Sequence, residues 1–437
     1  MRERKNTMAA LGKKKKASEF PDVIPVSEAI RKGDIFTKLT CLIMGAGNLA
    51  RKQIIQGLLF LAGELAYILY MVFYGAKALQ NFVTLGTETQ RKVFNEATQV
   101  YEYATGDNSQ LCLLYGVITL FVTIGFILLW RGAIRSSYIA QKAQEAGKKP
   151  ITFGEVLKSL KDNRMYQLFL FFPFMGVLLF TVMPLVFMIL MAFTNYDHDH
   201  LPPGQLFDWV GFQNFTKVLN AGGALGETFW KVLGWTIIWA IFATFLNYIF
   251  GIILAIIINR DGTKFKAFWR FIFVLTIAVP QFVSLLVVNT MIQQHGVINL
   301  LLKELFGVGP LPFLTNVTWA RVTVIVVNLW VGIPYTLLTV TGILKNIPAE
   351  LYEAAKVDGA NAFVTFFKIT MPYMMFVMTP NLITTFTGNI NNFNVIYLLT
   401  QDVFVTNNQQ LAQSNAKEID LLVTWLFRLT QDYYNYK

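Results

Sequence analysis

Apolar runs near 20 residues long recur seven times in this chain, at about 54–74, 111–130, 166–194, 230–258, 268–293, 320–344 and 373–400. That is the length an α-helix needs to cross a hydrocarbon core of roughly 30 Å. A backbone in lipid must satisfy its own N–H and C=O groups, so runs of this kind read as spanning helices. With 54% hydrophobic and only 14% charged residues, the chain is too apolar for an ordinary soluble protein. The expected fold class is all-α: a polytopic helical membrane protein with about seven transmembrane helices.

Net charge is +11, and its placement argues orientation rather than nucleic-acid binding. Residues 1–53 carry twelve Lys/Arg against five Asp/Glu, and residues 131–164 carry eight against three. The turn 259–267 adds Arg260, Lys264 and Lys266, whereas 75–110 and 195–229 carry more acid than base. Basic connections mark the cytoplasmic side of a membrane protein. Counting spans from a cytoplasmic N-terminus puts residues 345–372 in the cytoplasm too. The basic residues are neither interleaved with aromatics nor gathered in one domain, which argues against a nucleic-acid partner.

Other signals are weak. Cys41 and Cys112 offer no disulfide framework or metal-ligand spacing. Gly45-Ala46-Gly47-Asn48-Leu49-Ala50 superficially fits a dinucleotide fingerprint, but no strand precedes it. Asp197-His198-Asp199-His200 alternates in a Pro-rich loop with no further ligand cluster, so no metal is expected. Glu64 is the one acid well inside a span, where it needs a partner, structural or functional. Pro173, Pro184, Pro280, Pro334 and Pro380 interrupt spans, as hinges along a pathway or as packing kinks. No G-x-x-x-x-G-K-[ST] loop occurs, so ATP and Mg are not expected to bind this chain.

The most specific stretch is polar: Ile347 to Pro372, IPAELYEAAKVDGANAFVTFFKITMP, between two late spans. Pro348 suits a first helical turn, and the residues from Ala349 to Lys356 are mostly helix formers. Gly359 is placed to end that helix in a left-handed conformation. A second short helix is expected over Phe363–Ile369, stopping at Pro372.

Glu353-Ala354-Ala355, Gly359, Ile369 and Met371-Pro372, at this spacing, resemble the "EAA" coupling loop of ABC-importer permease subunits. That resemblance implies a type I importer fold in which Glu353, Ala354, Ala355, Gly359 and Pro372 belong to the element that docks on an ATPase. From about Asp162 the chain resembles maltose/maltodextrin permeases, on the stretches Trp209–Phe215, Asn328–Tyr335 and Asn391–Thr400. The family has eight spans; Leu421–Leu429 resembles the segment that precedes the last, so seven are expected here. The expected domains are a basic region 1–53, two additional spans with a linker over 54–164, and a permease core over 165–437.

The resemblance also implies a mid-membrane sugar site. Matched motif to motif, it comprises Val331, Gly332 and Tyr335 on one span, with Thr385, Gly388, Asn389 and Asn392 on the next. The last four recur at i, i+3, i+4 and i+7, one helical face. Asn offers donors and acceptors to hydroxyls, and Tyr335 can stack on a pyranose; Asn-mediated helix–helix linkage is the alternative. Gly388 stands where the family has an aromatic residue. Implied partners are a second permease subunit, two cytoplasmic ATPase copies, an extracellular sugar-binding lipoprotein and the lipid of a bacterial plasma membrane. The implied substrate is a maltodextrin, with galacto-oligosaccharides as the alternative glycan. An ion-coupled secondary transporter is the competing class, and it expects mid-membrane ionisable residues.

Overall fold

The computed structural model describes residues 24–96, 99–162, 164–260, 262–400 and 408–432. Among them, six helical stretches are long and apolar enough to cross a membrane. They are α1 (Ile54–Thr84), α2 (Ser109–Glu145), α3 (Met165–Met191), α4 (Ala224–Asn259), α7 (Val317–Asn346) and Ala362–Thr400. The last breaks into α9 (residues 362–390) and α10 (Phe393–Thr400). Two shorter helices, α5 (Lys266–Ala278) and α6 (Gln281–Ile292), meet at 91° where one continuous span is expected from sequence. The coupling segment contributes α8 (Ala349–Val357). Among the described residues a two-stranded antiparallel hairpin, β1 (Lys92–Asn95) with β2 (Val100–Tyr103), lies in the connection between α1 and α2.

The bend between α5 and α6 has a local cause. Pro280 disfavours helical backbone at the residue before it, and Val279 is extended with ψ 125°. The other prolines are absorbed differently. Pro173, Pro334 and Pro380 stay inside helices. Pro184 and Pro372 each follow a π-helical turn, Leu178–Val182 and Phe366–Thr370. Such a turn carries the carbonyl four residues back, where a proline has no N–H to offer and its ring would clash. The second helix of the coupling segment therefore does not stop at Pro372, as expected, but runs through it into the span.

By packing, the chain divides into two units, Met1–Gly211 and Phe212–Lys437. By this division α3 groups with the N-terminal spans. The loop after α3 turns back on them: Trp209 Nε1 donates to the Phe82 carbonyl, and Phe207 lies fully buried with Leu85 and Leu113.

In the first unit, α1 and α2 form an antiparallel pair whose ladder includes Tyr67 to Thr123 and Tyr70 to Thr119. Residues 26–50 form three short helices against the far half of α2. Buried Arg51 donates to both carboxylate oxygens of Asp34, at 2.6 and 2.7 Å, and to Ser137 on α2. Glu64 accepts from the Met44 N–H at 2.8 Å, so its partner is the backbone of this N-terminal turn.

The second unit is built on α4. One side of α4 buries Trp239, Ala240, Ala243, Tyr248 and Ala255 against α7, α9 and α10. Helices α4 and α7 run parallel, as four contacts in rising order show. The Arg321 guanidinium lies 4.6 Å from the Trp235 ring, Asn247 abuts Gly332, Gly251 abuts Thr336, and Asn259 Nδ2 donates to Thr341 at 3.0 Å. Two parallel spans require the chain between them to cross the membrane once. The bent pair α5–α6 thus belongs to a single net crossing, and the α4–α5 turn lies on the same side as the coupling segment.

Candidate functional site

The coupling segment is a nine-residue helix closed by glycine. α8 begins at Ala349 with Pro348 as its cap, and Gly359 takes φ 75°, the left-handed end expected of it. No atom lies within 4 Å of a Cβ built on Gly359, so the backbone conformation, rather than crowding, is what favours glycine. Asn361 Oδ1 then accepts from the Val364 N–H and starts α9. Ala355 is buried and Tyr352 bonds Thr370 at 3.0 Å, which ties α8 to the start of α9. Glu350, Glu353, Ala354 and Val357, spaced i, i+3, i+4, i+7, are all exposed. Glu353 makes no ion pair among the described residues. The result is a slim helix showing two unpaired carboxylates, Glu350 and Glu353, beside a methyl and an isopropyl group. Pro372 is exposed at the entry to the span.

The seven residues expected to line a pathway do not share one surface. Val331 and Tyr335 line a small cavity of about 140 Å³ at the α5–α6 elbow, with Pro280, Gln281 and Ser284. Gly332 points at α4, where a Cβ would come within 2.4 Å of the Asn247 amide nitrogen. Asn389 is buried; its amide donates to Thr244 Oγ1 at 2.9 Å, and its carbonyl accepts from Trp239 Nε1 at 3.0 Å. Thr385 is half-buried, one turn along α9 from Asn381, whose amide donates to the Tyr248 hydroxyl of α4 at 2.8 Å. Asn392 donates to the Asn389 side chain and accepts from the Val395 N–H, capping α10 at the break. Gly388 alone of the α9 set is exposed.

The stripe built on Asn389 is therefore the face that α9 turns toward α4. Asn and Thr there link helices instead of facing open space, because the polar partners Thr244, Tyr248 and Trp239 stand opposite. The exposed polar face is offset by one residue: Thr384, Thr387, Gly388 and Asn391. Thr384 and Thr387 donate to carbonyls four residues back in their own helix, so their polarity is satisfied without a neighbour. This second stripe has the same i, i+3, i+4, i+7 spacing and was available in the sequence. Nothing in one strand of sequence ranks one stripe above the other.

At Asp197 the backbone N–H of His200 and its ring both bond Oδ1, the ring at 2.7 Å. Among the described residues no group of three His, Cys, Asp or Glu side chains is placed to hold a metal.

The family described as "Binding-protein-dependent transport system inner membrane component" matches residues 247–424, which include α7, the coupling segment and α9. The galactooligosaccharides transport system permease protein GanP of Bacillus subtilis is 35% identical over 90% of this chain and 89% of its own length. The maltodextrin transport system permease protein MalC of Streptococcus pneumoniae is 34% identical over 90% of this chain and 87% of its own. The maltose/maltodextrin transport system permease protein MalF of Escherichia coli K12 is 37% identical over 54% of this chain and 45% of its own. This multi-pass membrane protein belongs to the family of binding-protein-dependent inner-membrane transport components, among the carbohydrate ABC-importer permeases.

Proposed function

We propose that this chain is the membrane-spanning subunit of an ATP-driven importer of neutral oligosaccharides. Maltodextrins are the leading substrate and galacto-oligosaccharides the alternative, since relatives named for each are similar at nearly equal identity. The observation that carries the reading is α8: an exposed, unpaired Glu353 on a short helix joined directly to α7 and, through Tyr352 and Thr370, to α9. A push on α8 acts on two spans at once. Such a helix suits docking in a cleft of a cytoplasmic ATPase with a basic group opposite Glu353.

In this reading two ATPase copies bind and hydrolyse Mg-ATP, and a second permease subunit completes the pathway. A binding lipoprotein delivers sugar to the outer face, and the N-terminus is cytoplasmic. The chain itself catalyses no reaction. Sugar meets the exposed residues Tyr335 and Gly388 and half-buried Val331, while Gly332, Thr385, Asn389 and Asn392 hold the helices behind them. Sugar binding shifts the outward–inward equilibrium only by its differential affinity for the two states.

The test is reconstitution with partner permease, ATPase and binding protein in liposomes, following labelled maltotriose and galactotriose uptake with ATP hydrolysis. Uptake of either sugar that requires ATP supports the proposal. Uptake driven by a proton or sodium gradient without ATP overturns it.

A further inference from the structure

Beside the coupling segment lies a cavity of about 750 Å³ lined by Arg260, Lys266, Arg270, Lys345 and Lys356. Among the described residues no carboxylate lines it; Glu350, Glu353 and Asp358 of the same segment are elsewhere. Five cations around one cavity repel one another unless an anion is shared between them.

Two of them are held in place by α4. Asn259 accepts from Arg270 Nη2 on its side chain and from Lys266 Nζ on its carbonyl at 3.1 Å, while its amide reaches Thr341 on α7. The Nε of Arg270 is buried with no hydrogen-bond partner. A guanidinium that is fixed on one edge and unsatisfied on another is prepared for an oxyanion.

The surroundings name the source of that anion. Phe265 is 80% exposed, and Phe268, Trp269 and Phe271 are also exposed on α5, the helix that carries Lys266 and Arg270. Aromatic rings flanking a basic pair at the end of spans are the composition of a membrane interface. Basic pockets between spans at that level suit phosphate headgroups.

We propose that this cavity binds the phosphate of an anionic phospholipid, with its acyl chains along the aromatic flank of α5. The bound headgroup joins the α4–α5 turn to α8 and the start of α9, all of which line the cavity. On the coupling reading of α8, which this consequence rests on, anionic lipid then stiffens the link between ATPase and bundle. Binding itself does not depend on that reading.

The experiment is native mass spectrometry of the full-length chain, delipidated in detergent and offered phosphatidylglycerol or phosphatidylcholine of equal acyl length. Wild type should retain phosphatidylglycerol preferentially. K266Q/R270Q should retain it roughly tenfold or more weakly, since each basic group near an anionic lipid surface contributes about a fivefold factor. K345Q/K356Q, which alters exposed side chains only, should show a similar loss and keeps the test decisive if the first variant fails to fold. K303Q, on the helix Val297–Phe306 and not among the residues lining the cavity, should match wild type. Equal retention of the two lipids, or unchanged retention in both double variants, overturns the proposal. So does displacement by excess inorganic phosphate, which would make the ligand a soluble phosphate. Loss of transport with lipid binding intact would instead count against the importer reading.

Discussion

The Asn389 amide donates to the Thr244 hydroxyl at 2.9 Å, and both side chains are buried between α9 and α4. That contact places Asn389 in the joint between the two helices. Asn389→Ala should therefore lower thermal stability in detergent, by about 1 kcal/mol. Thr244→Ala should cost a similar amount, and the double variant little more than either. Additive losses would show that the pair does not act as one bond.

The exposed stripe makes the complementary prediction. Thr384→Val with Thr387→Val removes hydroxyls from the open face of α9 without touching α4. Uptake in liposomes should fall while thermal stability stays within about 0.5 kcal/mol of wild type. Unchanged uptake would remove this face from the pathway.

Gly332 has no room for a side chain. Gly332→Ala places a methyl within 2.4 Å of Asn247, which is itself buried and bonded to the Ala243 carbonyl. Overpacking of this kind costs about 1–3 kcal/mol. Adding Asn247→Ala should recover part of the loss in a detergent unfolding assay; no recovery would locate the strain elsewhere.

Glu353→Lys reverses the unpaired carboxylate in the middle of the exposed stripe of α8. It should abolish co-purification with the ATPase while leaving membrane insertion and the melting curve of the isolated chain unchanged. Retained co-purification and coupled transport would exclude docking through this residue. Gly359→Ala gives a graded companion. Strain in the left-handed conformation costs about 1–2 kcal/mol, with no clash added.

Asp34 supplies a pH dependence outside the membrane. Partial burial acts to raise its pKa, but the Thr37 N–H and the Arg51 guanidinium more than offset this and hold it below the ordinary 3.8. A depressed folded-state pKa means the stabilisation is present above about 3.8 and is lost as pH falls through the lower, folded value. Hydrogen exchange over residues 34–51 should stay slow at neutral pH and accelerate only below that range. Asp34→Asn should show the faster exchange at every pH, and exchange indifferent to the variant would exclude the ion pair as the clasp.

Much of the architecture was legible in the chain because its causes are local. Helix length, apolar runs and the basic turns place the spans, and all seven expected stretches are helical over most of their length. The α8 boundaries and Gly359 follow from propensity and chirality, which operate within a few residues. Pro280 announced a break through its effect on Val279. Its 91° angle did not follow, since that depends on what α5 and α6 pack against. The passage of α9 through Pro372 was missed for a related reason: a π turn upstream relieves a conflict that a four-residue reading treats as terminal.

The site divides along the same line. By itself the sequence determined that α9 carries polar residues at helical spacing. It carries two such sets, 385/388/389/392 and 384/387/388/391, rotated by one residue's turn about the same axis. Periodicity cannot choose between them, because both satisfy it equally. The tertiary structure decides, through Trp239 and Thr244 on a helix more than a hundred residues earlier. Their donors and acceptors meet one set in the buried seam and leave the other open. A buried polar group must find its partner, and that partner lies outside the reach of any local pattern.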